Sequence, residues 1–152
     1  MTMYLFDASS IINIVKNLRE KSLDVLKNNY TIRLVYYEIG NAILKDVRIF
    51  KPYTLNEGLS VLNTIYNLLE YMRIIDITDY HDEILSVAEK LSITFYDASY
   101  LVSAFKKCLT FVTDDTKILN SVKANKNFLE KKFSACVNTI KSEDFTYKQK
   151  IE

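Results

Sequence analysis

Glycine and proline are nearly absent from this chain: Gly40, Gly58 and Pro52 are all it has in 152 residues. A β sandwich spends such residues on its turns, so their scarcity argues for many helices joined by short polar connections. Histidine is limited to His81, which excludes by count a ribonuclease built on paired imidazole acid and base. No glycine-rich loop leads into a helix, so phosphate-loop and dinucleotide readings fail, and neither glycine flanks a serine as a nucleophile elbow requires. The two cysteines, Cys108 and Cys136, lack metal-ligand spacing and are too sparse for a secreted disulfide framework; the expectation is a reduced, cytoplasmic setting. No apolar run approaches the roughly 18 residues of a membrane span, and no basic leader precedes Asp7. Charge of one sign is missing too. At a formal net charge of +1 there is no global field for a polyanion, so any such binding needs a local patch or a bound cation.

What is present is ordinary globular material, 49% hydrophobic and 26% charged, in a length that suits one domain with a core of its own. Short apolar runs alternate with helical spacing. Met3 to Phe6, Thr31 to Val35, Arg73 to Ile77, Leu109 to Thr113 and Ala135 to Ile140 read as strands. Between them lie a helical stretch from Ser9 to Asn28 that breaks near Asn17, then helices over Tyr36 to Val47, Leu55 to Leu69, Tyr80 to Leu91, Asp97 to Lys107 and Asp115 to Val122. This alternation predicts an α/β fold with right-handed crossovers and a central parallel sheet of about five strands, helix-rich and covered on both faces. One domain is expected over 1–145, followed by a polar tail over 146–152.

Four acids follow apolar runs. Two share a frame, Tyr4-Leu5-Phe6-Asp7-Ala8-Ser9 and Thr94-Phe95-Tyr96-Asp97-Ala98-Ser99; Glu38 follows Leu34-Val35-Tyr36-Tyr37, and Asp115 follows Phe111-Val112-Thr113-Asp114. Each aspartate alone is explained as a helix N-cap. Four acids delivered to one edge of a parallel sheet need a joint account, because the ends of parallel strands converge there. Clustered carboxylates repel unless cations neutralise them or some take up protons. Oxygen ligands without His or Cys select Mg²⁺ or Mn²⁺, and such an ion suits phosphodiester hydrolysis.

The segments Leu5-Phe6-Asp7-Ala8-Ser9-Ser10-Ile11-Ile12, Tyr36-Tyr37-Glu38-Ile39-Gly40-Asn41-Ala42-Ile43, Phe95-Tyr96-Asp97-Ala98-Ser99-Tyr100-Leu101 and Phe111-Val112-Thr113-Asp114-Asp115-Thr116-Lys117-Ile118-Leu119 resemble the four acidic motifs of PIN-domain proteins, in order. The nearest subgroup is the VapC-like toxins of type II toxin–antitoxin pairs, and the resemblance spans nearly the whole chain. It implies a PIN-like three-layer α/β/α fold and a Mg²⁺- or Mn²⁺-dependent endoribonuclease. It also implies a homodimer and a VapB-like antitoxin. Asp7, Glu38 and Asp97 take the family's metal-site positions; Asp115 matches the last acid, and Asp114, in the variable place beside it, stays open as the alternative metal ligand. Ser9 and Thr113 stand where the family has hydroxyl residues that support the carboxylates.

Lys117 and Lys123, with Lys126, Lys131 and Lys132 after them, make the stretch beyond the last acid basic. It reads either as a solvated helix face or as a track for an RNA backbone. Two other functions stay open. One is a PIN-like module that binds RNA or protein without cleaving it; the other is an aspartyl phosphatase of haloacid-dehalogenase type, which normally needs an acid where Ser9 stands.

Overall fold

The computed structural model describes residues 1–149. Five short strands, β1 (Tyr4–Phe6), β2 (Tyr30–Ile32), β3 (Arg73–Ile75), β4 (Thr110–Val112) and β5 (Thr139–Ile140), form one all-parallel sheet in the order β3-β2-β1-β4-β5. Leu5 pairs with Phe111 and Phe6 with Val112 at the centre. Alternation along each strand then sends the first pair into one core and the second into the other.

Around the sheet stand α1 (Ala8–Leu18), α2 (Ser22–Leu26), α3 (Val35–Lys45), α4 (Leu55–Leu69), α5 (His81–Leu91), α6 (Phe95–Lys106), α7 (Thr116–Ala124), α8 (Lys126–Phe133) and α9 (Glu143–Gln149). Apolar residues of α1 to α4 bury against Phe6 and Val112, while those of α5 to α8 bury against Leu5 and Phe111. The expected α/β sandwich with a parallel five-stranded sheet is therefore the observed one. No helix among the described residues is long and apolar enough to cross a membrane.

Local differences have local causes. The long first helical stretch breaks at Arg19, whose φ of 50° lies in the left-handed region and turns the chain through a 3₁₀ segment into α2. Strand β2 ends at Ile32 instead of Val35, because Val35 opens α3 after a turn at Arg33 and Leu34. Gly58 is a close approach: a Cβ there would lie 2.6 Å from Cγ2 of Val47, so α4 crosses the end of the preceding helical segment only without a side chain. The polar tail expected from residue 146 begins inside α9, which Phe145 anchors on Tyr4 and Phe6 with ring centroids 4.9 and 5.4 Å away. Residues 150–152 of that tail lie outside the described residues.

The cysteines are paired, which corrects the expectation of reduced thiols. Cys108 and Cys136 form a disulfide with Cα atoms 4.5 Å apart. They precede β4 and β5, which are neighbours, so the topology joins residues that 28 positions separate. Closing a loop of that length stabilises the fold by about 3–4 kcal/mol on the chain-entropy account.

Candidate functional site

The sheet order reverses between β1 and β4: β1 continues outward to β2, and β4 to β5. Such a switch point leaves a crevice beyond the strands' carboxyl ends. Asp7 stands there, directly after β1, with its backbone N–H donating to the Val112 carbonyl at 3.2 Å. It is 6% exposed and caps α1, accepting from Ser10 N at 2.8 Å and from Ser9 Oγ at 3.0 Å, both on Oδ1. Burial pushes its carboxyl above the ordinary range, against the Thr113 hydroxyl and the Ser10 and Ser9 donors that favour the charged form.

Glu38 lies in the first turn of α3, half-buried, without capping the helix. Tyr100 Oη donates to its Oε2 at 2.9 Å from a side chain that is 1% exposed. Burial raises the Glu38 carboxyl, the Tyr100 bond opposes this, and repulsion from Asp7 and then Asp97 adds to the rise. Tyr100 is held neutral by burial and by the Glu38 carboxylate.

Asp97 departs from the expectation shared by the three aspartates, because it neither ends a strand nor caps a helix. The element directly before it is the helix α5, not a strand; α6 begins at Phe95 and its cap is Thr94, whose Oγ1 accepts from Asp97 N at 3.0 Å. The twin Asp-Ala-Ser frames thus adopt different structures. Ser9 donates to Asp7, whereas Ser99 is buried and donates to the Phe95 carbonyl at 2.7 Å. The Asp97 carboxylate is left free of capping duty. Burial raises its pKa, the Thr94 hydroxyl lowers it, and repulsion from Asp115 raises it further.

The acidic pair after β4 divides its labour. Asp114 accepts from Asn13 Nδ2 at 2.6 Å, from Ser142 N at 2.8 Å and from Ser142 Oγ at 2.6 Å, tying α1 and the end of β5 to β4. Asp115 caps α7, taking Lys117 N at 2.8 Å and Ile118 N at 3.4 Å on Oδ1 alone. Thr113, fully buried, accepts from Asp115 N at 3.2 Å and also interacts with Asp7. Lys117 is exposed on the first turn beside Asp115. Lys123 lies two turns on and lines a separate cavity of about 310 Å³ with Lys90 and Lys126.

The electrostatic links run Asp7 to Glu38, Glu38 to Asp97, and Asp97 to Asp115. Among the described residues, none of these four acids forms an ion pair with Lys, Arg or His. Nor does any group of three or more His, Cys, Asp or Glu converge closely enough to cage a bare metal ion. The donor set is all oxygen, which fits a hard cation; Mg²⁺ keeps several waters and needs only one or two direct carboxylates, so the open arrangement suits it better than a closed protein cage.

No family model matches the chain. Exonuclease VapC9 of Pyrobaculum aerophilum is 28% identical over 120 residues, spanning 79% of this chain and 86% of that protein. The crystal structure of PAE2754 from the same organism superposes with a TM-score of 0.76 at 22% identity, over 99% of this chain and 97% of its own. The chain is thus similar in sequence to a VapC protein, and its fold is PIN-like.

In this chain three supporting residues escape a reading by motif. Asn13 and Ser142 reach Asp114 from 101 and 28 positions away, so only the strand order reveals them. Tyr100 carried a usable signal: it lies three residues after Asp97, on the same face of one helix.

Proposed function

We propose that this VapC-like chain is an endoribonuclease dependent on Mg²⁺ or Mn²⁺, with Asp7, Glu38, Asp97 and Asp115 as its metal-site and catalytic acids. The observation that carries the reading is the chain of mutually repelling carboxylates without a protein counter-ion at the sheet's switch point. When bound, the cation supplies the neutralising charge and lowers the pKa of water. The chain's own residues do the rest. Tyr100 holds one Glu38 oxygen and leaves the other for the site, while the α7 amides occupy Oδ1 of Asp115 and leave Oδ2. Asp97, free of a cap, orients the attacking water. Ser9 and Thr113 steady Asp7, Lys117 meets the RNA backbone, and Asp114 holds the scaffold together. The products are a 5′-phosphate and a 3′-hydroxyl. A VapB-like antitoxin and a homodimer complete the proposal, which treats the protein as the toxin of such a pair acting in the cytoplasm.

The name of the Pyrobaculum relative favours a second reading, exonucleolytic attack from a strand end. A circular RNA separates the two. Incubated with Mg²⁺, the wild type should linearise it, and EDTA, Asp7→Asn or Asp97→Asn should each abolish the cut. Cleavage of linear RNA alone would mean an exonuclease; equal cleavage by the variants would overturn the site assignment.

A further inference from the structure

A groove beside the acids contains none of the four. It measures about 410 Å³ and runs from the ends of β2 and β3 to the first turns of α3 and α6, within the range of about 300–1,000 Å³ typical of small-ligand clefts. Ile75 and Ile77 contribute to its apolar floor. Three aromatic side chains line it while remaining unusually exposed: Tyr37 at 74%, Tyr96 at 61% and Phe95 at 39%. Two of them immediately precede site acids, Tyr37 before Glu38 and Tyr96 before Asp97. Arg33 supplies a cation at the rim and Asp76 an acceptor.

An apolar floor alone would fit any greasy partner. The exposed aromatic faces, their one-residue spacing from the acids and the adjacent guanidinium narrow the occupant. A strand whose phosphate reaches the acids brings its next base to the rings, which stack on any base without reading sequence, while Arg33 meets the flanking phosphate. Unpaired bases are free to enter such a cleft, whereas bases in a duplex are not.

We propose that this groove is the base-binding subsite of the nuclease, holding one unpaired base next to the scissile phosphate by stacking on Tyr96 and Tyr37. This rests on the reading of the acids as a nuclease site. The groove gives affinity and position rather than strong base preference, because the contacts are ring faces.

The test uses a five-nucleotide RNA with a central 2-aminopurine, titrated into the full chain with Ca²⁺ and checked afterwards for intactness. The same oligonucleotide without Ca²⁺ substitution is assayed for cleavage in Mg²⁺. Wild type should quench the fluorescence. Tyr96→Ala and Tyr37→Ala should lose quenching and bind about tenfold more weakly or worse. Tyr96→Phe, which keeps the ring, should restore both, and circular dichroism should report all variants folded. If wild type and the two alanine variants quench and bind alike while Asp7→Asn blocks cleavage, the subsite is overturned and the nuclease reading stands; a groove built for a peptide would give that result. If quenching depends on the tyrosines but no RNA is cut, the groove binds a base as proposed, the nuclease reading falls, and with it the groove's place beside a scissile phosphate.

Discussion

Replacing Asp114 and Asp115 separately by Ala should give opposite phenotypes. Asp114 accepts three hydrogen bonds across two long-range contacts, from Asn13, the Ser142 amide and the Ser142 hydroxyl. Bonds to a charged acceptor contribute about 1.5–3 kcal/mol each. The three share one half-buried carboxylate and are not additive, so Asp114→Ala should cost about 2–4 kcal/mol in all. At about 2–4 °C per kcal/mol for a domain of this size, its melting temperature should fall by roughly 5–15 °C. Asp115 loses only a helix cap, about 1 kcal/mol and hence about 2–4 °C. In cleavage the order reverses. Groups merely behind a metal ligand are worth about 10–100-fold, so loss of the Asp115 carboxylate should cost about 100-fold or more. Asp114→Ala, assayed well below its transition, should stay within about tenfold of wild type. Calorimetry and Mg²⁺-dependent RNA cleavage on the same preparations decide the matter. A folded Asp114→Ala that cannot cleave, or an Asp115→Ala that cleaves normally, would refute the division of labour.

Three further outcomes are expected. Burial raises the Asp7 carboxyl, so the folded state takes up a proton that the unfolded chain has lost, and Asp7 weakens the metal-free fold increasingly as pH rises from the ordinary value of 3.8 through its raised value. Asp7→Asn keeps the N-cap without the charge; in EDTA it should melt above wild type at pH 7, with the gap closing as pH falls toward 4, and a pH-independent gap would contradict this. Tyr100→Phe removes the donor to Glu38 and should shift the Mg²⁺ dependence of cleavage by about 10–100-fold; an unchanged metal titration would show that the bond does not tune the site. The Ser103 hydroxyl is buried and finds no partner among the described residues. Ser103→Ala should therefore raise stability by about 1 kcal/mol, seen as a melting temperature about 2–4 °C higher, and a lower one would mean that the hydroxyl is satisfied.

The alternation of short apolar runs with helical stretches was enough to predict the layers, the parallel sheet and most element positions, because burial on both faces imposes periodicities that a single sequence displays. Five strands were read and five occur, although the last is confined to Thr139–Ile140 because Ala135 and Cys136 lie in a 3₁₀ turn. Element ends were less legible. Val35 is as apolar as a strand residue and opens a helix, and Thr94, three residues before Asp97, takes the cap that the Asp-Ala-Ser frame suggested for the aspartate. Capping depends on which of several nearby oxygens meets the free amides, a contest that composition does not settle.

By itself the sequence determined the order of the acids, the absence of His and Cys from their motifs, and hence the hard-cation character of any site they form. Tertiary structure decided the rest. It turned Asp114 toward Asn13 and Ser142, brought Tyr100 under Glu38, joined Cys108 to Cys136 and left Tyr37 and Tyr96 facing a groove beside the carboxylates. These partners lie as many as 101 residues apart. Their meeting follows from the strand order β3-β2-β1-β4-β5, a global choice among packings that short-range patterns do not encode.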